Sequence, residues 1–508
     1  NISSFVFYTT FCLITFAIIF VFKSKFIPVF VHGDAIFSWN RWAWELYNQK
    51  FLGSGGYPIF WPNFWSLIYS SMGQFNNWMI PAISQIILPI ILIVSNFLYY
   101  EKKYTNLFYL NIFFSFSIIY ILADRLFIGY MDAPLTILTY LSLSLLFLYQ
   151  LSKKLNILLI ASFVIAIASI TKQQGFILPV FFLIFSFHHL IKKNINFKNF
   201  LTYNFISFFH VVTYFLFFEN IDLINIILKI FSGKYGNMDY LQFLSREHIS
   251  KDNSILYSFN TLTYRTTIYP ILFLLFLGSL NFIFLFKKEE NFFGMLCLIF
   301  AFLGFYFFMK YGSYDDRNGW FIFPFIIFSS MCIFYNNKKF SQIEFIENFS
   351  NKIKFEVFHT GKFFILSFFS MLLILIITEK IINFNYWQKE IQTNFGGTKK
   401  LSIVGKNFLT NNNACSKIIT NWNILPYNYN LMPYYINLNK EFNFESRIIL
   451  LHSNARIENF LNQNKDCDKP DLWLLTRPFK KSSEKKKKIL IKNKKLVEIS
   501  NLAYVKKK

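Results

Sequence analysis

Four ionisable residues recur at comparable places along the chain, each just beyond an apolar run. Asp34 stands in His32-Gly33-Asp34, with Arg41 and Glu45 shortly after it. If the stretch from Ala35 is helical, Asp34 caps it, and Ser38, Arg41 and Glu45 share one face. Trp39, Trp42 and Trp44 then suit a helix lying among lipid headgroups. Asp132 follows Asp124-Arg125 and Tyr130-Met131 and is followed by Pro134, tolerated in a first helical turn. It is either a helix cap or a working acid. Lys172 sits in Thr171-Lys172-Gln173-Gln174-Gly175 between two apolar runs, where it either snorkels or faces a site. Arg317 follows Asp315-Asp316, with Asn318-Gly319 and then Pro324. A local Asp316–Arg317 salt bridge is the structural alternative there.

Ionisable groups at membrane depth are costly and therefore functional candidates. A carboxylate such as Asp34 or Asp132 can orient or deprotonate an acceptor hydroxyl. Lys172 and Arg317 can hold an anionic phosphate leaving group and neutralise its growing charge. Together these are the requirements for moving a sugar off a lipid phosphate at the membrane edge. The chain has no GxGxxG or Walker motif, as expected if the sugar arrives on a lipid rather than on a nucleotide.

The elements that must position these residues are read from the apolar pattern. Of 508 residues, 54% are hydrophobic and only 15% charged, well below the quarter or so expected of a soluble chain. The 70 Phe read as lipid-facing or packing residues. A bilayer span needs about 20 apolar residues. The candidates are 5–22, 78–100, 105–122, 133–151, 157–170, 176–191, 200–218, 268–286, 292–309, 320–335 and 363–378. The expected fold is thus a polytopic α-helical membrane protein with about eleven transmembrane helices. No small-residue cleavage site follows the first run, so it reads as a retained helix.

The net charge of +24 would suggest nucleic acid in a soluble protein. Here the basic residues cluster at span ends: Lys102/Lys103, Lys153/Lys154, Lys192/Lys193/Lys198, Lys287/Lys288 and Lys338/Lys339/Lys352/Lys354. All follow even-numbered spans, which makes that side cytoplasmic. Lys23/Lys25 runs against the pattern. The candidate residues then fall on the outer face, along with loops 32–77 and 219–267.

Residues 1–378 therefore read as a transmembrane domain and 379–508 as a small extracytoplasmic α/β domain, with strands expected at 401–404, 447–451, 471–475, 489–491 and 496–499. Cys415 and Cys467, both in this tail, either pair or remain thiols. Among the five Cys no CxxC pair occurs. The lysine run 485–488 is a solvated or membrane-surface patch.

Several of these motifs together resemble a known family. They are His32-Gly33-Asp34, the Tyr57–Pro62 return, Asp132-Ala133-Pro134-Leu135, Thr171–Gly175, and Asp316-Arg317 ahead of Pro324. The pattern resembles the multi-spanning, polyprenyl-phosphate-sugar-dependent (C-type) glycosyltransferases, on the branch of bacterial relatives of protein O-mannosyltransferase and lipid A aminoarabinose transferase. The likeness spans residues 1–335.

It implies an enzyme of the plasma membrane with an outer-face site, a polyprenyl-phosphate-sugar donor, a lipid, glycan or protein acceptor, and an inverting reaction. It implies Asp34 as catalytic acid/base, Asp132 as a second acid, and Lys172 and Arg317 on the donor phosphate. Arg41, Glu45 and Asp316 would line the substrate. Many members pair two acids in the first loop, whereas here the next acid after Asp34 is Glu45. Some relatives bind a divalent metal. His32 beside Asp34 is either a ligand or, as a lone His more often is, a hydrogen-bonding residue, and no ligand cluster demands a metal.

Two rivals remain at this point. A transporter or flippase for a lipid-linked substrate would show paired halves and mid-helix charges, and neither is seen. A non-catalytic subunit of a membrane complex would be indifferent to Asp34.

Overall fold

The computed structural model describes residues 39–47, 49, 58–72, 79–99, 105–122, 126, 129–213, 254–264, 266, 268–283, 289–312, 315–336, 418–420, 448–450, 472–474, 496–500 and 503–506. Asp34, the spans at 5–22 and 363–378, and the strands at 401–404 and 489–491 lie outside the described residues.

The described residues up to Asn336 are mainly helical. Short α1 (Arg41–Tyr47) and α2 (Phe60–Met72) precede α3 (Met79–Ser95), which a 3₁₀ turn extends through Asn96–Tyr99. Then come α4 (Thr105–Leu122), α5 (Asp132–Ser152), α6 (Leu155–Ser169), α7 (Ile177–Ile191) and α8 (Phe197–Thr213). After α9 (Ile255–Leu262) follow α10 (Ile268–Ile283), α11 (Glu289–Tyr311) and α12 (Ile322–Asn336). Each expected span among the described residues is a helix. The stretches Asp132–Ser152, Gln173–Ile191 and Asn291–Lys310 are each long and apolar enough to cross a bilayer alone. The protein is a polytopic helical membrane protein.

Phenylalanine fills both roles available to it. Phe205 and Phe276 are 65% and 63% exposed, as lipid-facing residues would be. Phe181 of α7 is fully buried, its ring 5.9, 5.1 and 5.5 Å from those of Phe293, Phe300 and Phe325 on α11 and α12. On α5, Phe147 meets Phe328 at 6.1 Å and Tyr140 meets it at 5.0 Å. These contacts close α5, α7, α11 and α12 on one another.

Between apolar helices in lipid, hydrogen bonds and small residues supply the adhesion that the hydrophobic effect supplies in water. Tyr140 donates to Asn111 Oδ1 at 2.6 Å, Asn111 to Ser144 Oγ at 3.4 Å, and Ser144 to Tyr99 Oη at 3.2 Å. Ser115 donates to Asn96 Oδ1 at 3.1 Å. On the other flank, Asn281 of α10 donates to the Ser329 carbonyl of α12 at 2.7 Å. Gly278 and Gly294 stand where an added Cβ would come within 2.4 Å of Ser329 Oγ and Asn281 Oδ1 respectively.

Two expectations need correction. Trp39, Trp42 and Trp44 are buried rather than presented to headgroups, and Trp39 meets Trp42 edge-on at 5.1 Å. An indole spacing that suits an interface suits protein packing equally well. The segment expected as loop 219–267 also contains helix α9, capped by Ser254, whose Oγ accepts from Tyr257 N at 3.2 Å.

The second compact unit contains a five-stranded sheet in the order β2-β1-β3-β5-β4. Its strands are β1 (Ile418–Thr420), β2 (Ile448–Leu450), β3 (Leu472–Leu474), β4 (Leu496–Ser500) and β5 (Ala503–Lys506). β1 pairs parallel to β2 and β3, while β5 runs antiparallel to β3 and β4. The expected strands at 447–451, 471–475 and 496–499 are present, and β1 and β5 are additional.

Candidate active site

Three separate segments converge where α5 begins. The first is the start of α5 itself. The cap position of this helix is Met131, and no side chain caps it. Asp132 is therefore not spent on the helix end, and its carboxylate reaches across to another segment.

The second segment is the turn between α6 and α7. Lys172 is extended (φ −155°, ψ 156°) ahead of a 3₁₀ turn, Gln173–Phe176. The turn is tight: Gly175 N donates to Lys172 O at 2.8 Å, and Thr171 N to Ala168 O at 3.2 Å. A Cβ on Gly175 would lie 2.2 Å from the Ala168 carbonyl oxygen, so the glycine of Thr-Lys-x-x-Gly is a steric requirement. Thr171 Oγ1 accepts from Trp61 Nε1 at 3.2 Å, tying the Tyr57–Pro62 motif to the lysine turn.

The third is the 3₁₀ turn Asp316–Gly319 before α12. Asp315 caps it, its carboxylate accepting from Arg317 N at 3.3 Å and from Arg317 Nε at 2.8 Å. Gly319 lets the turn lie close to α9 and α11, for a Cβ there would meet Leu262 Cδ1 at 2.5 Å and Phe308 Cδ2 at 3.0 Å.

The side chains meet as an ion cluster. Lys172 Nζ donates to Asp132 Oδ1 and, at 3.2 Å, to Asn318 Oδ1. Arg317 Nη1 stands 3.9 Å from Asp132 Oδ2. The guanidinium carbon lies 4.0 Å from the centre of the Tyr130 ring, a cation–π contact that fixes its plane. The side chains of Lys172 and Asp132 are 9% and 5% exposed, and that of Arg317 is 14% exposed. Lys172 is thus paired inside protein and does not snorkel.

Three expected site residues, Asp132, Lys172 and Arg317, are brought together. Asp315, Asn318 and Tyr130 join them, although sequence reasoning had not singled them out for the site. The local partner of Arg317 is Asp315 rather than the expected Asp316, which is buried in the same turn. Arg41 lies on α1, and Glu45, on the same helix, is buried. Among the described residues no group of three or more His, Cys, Asp or Glu could hold a metal ion, and His32 is not among them.

No protein-family model and no curated protein matches the chain. Solved structures do. ArnT from Cupriavidus metallidurans, bound to undecaprenyl phosphate, superposes with a TM-score of 0.53 at 10% identity over 98% of this chain and 97% of its own. The apo form of the same protein gives 0.50 at 10% identity over 99% and 98%. The chain has the ArnT fold. That fold agrees with the one the sequence resemblance implied. In that fold the cluster at Asp132 joins residues from three different inter-helix segments.

Proposed function

We propose that the protein is a membrane glycosyltransferase that moves a sugar from a polyprenyl-phosphate carrier to an acceptor hydroxyl, with inversion. The observation that carries this reading is the convergence of Lys172 and Arg317 on one point of a bundle that shares its fold with a protein solved bound to undecaprenyl phosphate. A buried ammonium and a guanidinium side by side fit the phosphate of such a donor, whose isoprenoid chain stays in the bilayer.

In this reading the acceptor hydroxyl gives its proton to Asp34 as its oxygen attacks the anomeric carbon. The bond from that carbon to the phosphate oxygen breaks, and the phosphate leaves with the electron pair. Lys172 and Arg317 stabilise the leaving charge, which is larger in the transition state than in the bound donor. Arg317 Nε donates to Asp315 Oδ2, which orients the guanidinium whose Nη1 stands by Asp132. Asp132 holds both cations near each other before the donor arrives. Arg41, Glu45 and Asp316 line the sugar or acceptor.

The site faces the extracytoplasmic side of the plasma membrane, by the basic loops opposite it. In this reading 1–378 is the transmembrane domain and 379–508 an extracytoplasmic domain. The acceptor is a lipid, a glycan or a protein.

Sugar transfer by the purified protein in detergent, with a panel of radiolabelled polyprenyl-phosphate sugars, tests this. Transfer or donor hydrolysis that disappears in Asp34→Asn, with folding intact, is the expected result. No turnover with any donor, or turnover indifferent to Asp34, would move the reading to transport or scaffolding.

A further inference from the structure

We infer that Asn318 is a positioning residue that sets the gap between Lys172 and Arg317, so that both cations engage the same phosphate. The inference rests on the donor-phosphate reading of the cluster.

The amide of Asn318 is used at both ends. Its Nδ2 donates to the Gly312 carbonyl at 3.2 Å, and its Oδ1 accepts from Lys172 Nζ at 3.2 Å. Only one orientation satisfies both contacts, because a carbonyl cannot donate and an ammonium cannot accept. The backbone is held as well, since Asn318 N donates to Asp315 O at 3.2 Å. The residue is buried, 7% exposed, and next in sequence to Arg317.

An ammonium has three N–H donors. Among the described residues, Asp132 and Asn318 take two of them, which fixes the direction of the third. The bond to Asn318 also ties Lys172, which comes from the α6–α7 turn, to the turn that carries Arg317. The two cations are therefore referenced to one rigid 3₁₀ turn. Without Asn318, the ammonium keeps, among the described residues, Asp132 alone and is freer to turn about it.

The test uses the full-length protein in detergent and undecaprenyl phosphate as the probe, comparing wild type, Asn318→Ala, Lys172→Ala and the double variant. Asn318→Ala should weaken binding about tenfold, the usual worth of one hydrogen bond to a charged group. The double variant should bind no more weakly than Lys172→Ala, because Asn318 acts through that lysine. In turnover, KM for the donor should rise while kcat per folded molecule falls less, a split that a loss of folded protein would not produce. If Asn318→Ala does not fold, Asn318→Ser, which keeps a small polar side chain too short to bridge both partners, carries the same comparison.

Unchanged binding in Asn318→Ala, or penalties that multiply in the double variant, overturns the positioning role alone. Binding indifferent to Lys172→Ala removes the donor-phosphate reading and this inference with it.

Discussion

Two polar clusters share α5 and meet the cost of burial in different ways. At its first residue, Asp132 meets two cations from distant turns, and one of them, Lys172, also donates to the Asn318 amide oxygen. About 12 to 18 Å further along the same helix, Tyr140 and Ser144 belong to a chain of neutral groups with Asn111 and Tyr99. The neutral chain links hydroxyls and amides of neighbouring helices, which is how polar side chains hold helices together in lipid. The ionic cluster is an expensive way to achieve the same adhesion, because desolvating charges offsets much of their attraction. Its position at a helix end fits the donor-phosphate reading proposed above. The difference teaches that burial of polar groups alone singles out no site in this bundle, and that the proposed site rests on the burial of charge.

The sharpest way to break this comparison is to make the first cluster resemble the second. Asp132→Asn combined with Lys172→Gln replaces an ion pair by a neutral pair of similar size. Its melting temperature should stay near that of wild type, since a neutral replacement of a buried pair is often tolerated. Transfer from a polyprenyl-phosphate sugar should fall by about 10²-fold or more, the usual loss when a group stabilising transition-state charge is removed. Full activity in this variant would make the cluster structural.

Gly175→Ala should have the next largest effect, and on both properties. The methyl group cannot avoid the Ala168 carbonyl, so the turn must shift and carry Lys172 with it. A loss of about 1–3 kcal/mol of stability is expected from such overpacking. Transfer should fall by about tenfold or more, because small misplacements of a charged group are costly. Thermal unfolding in detergent and the transfer assay check the two parts separately.

Tyr140→Phe should show the opposite profile. It removes the hydroxyl that donates to Asn111, and stability should drop by about 0.6–1.7 kcal/mol, the range for such bonds between membrane helices. Transfer per folded molecule should be unchanged. A Tyr140→Phe variant with normal stability and lost transfer would erase the distinction between the clusters. Ser115→Ala, which loses one bond to Asn96, should cost the least, about 0.6 kcal/mol or under, again with no effect on transfer.

Much of the helical fold was legible because apolar runs of span length leave little choice. The expected helix at 105–122 coincides with Thr105–Leu122, and that at 176–191 with Ile177–Ile191. The short strands were harder. β1 has three residues and β5 ends in lysine, so neither offers a long alternating pattern. Of the site, the residue types and their places at helix ends were visible, but their partners were not. Asn318 carries no charge and looks like any turn asparagine. Asp315 and Asp316 are adjacent carboxylates, and only the 3₁₀ turn decides which one faces the Arg317 guanidinium. The buried indoles of Trp39, Trp42 and Trp44 show the same limit, for their amphipathic rings suit lipid headgroups and protein interior alike.

What the sequence determined by itself is the set of local commitments: where helices run, because lipid demands unbroken apolar backbone bonding, and which costly charges stand at their ends. What only the tertiary structure decided is who meets whom. Lys172 lies 40 residues from Asp132 and 146 from Asn318 along the chain. Contacts across such separations depend on how α5, α6 and α12 pack, and that packing is set by steric fits such as Gly175 on Ala168 and Gly319 on Leu262. Such fits depend on shape in three dimensions, which no local periodicity encodes.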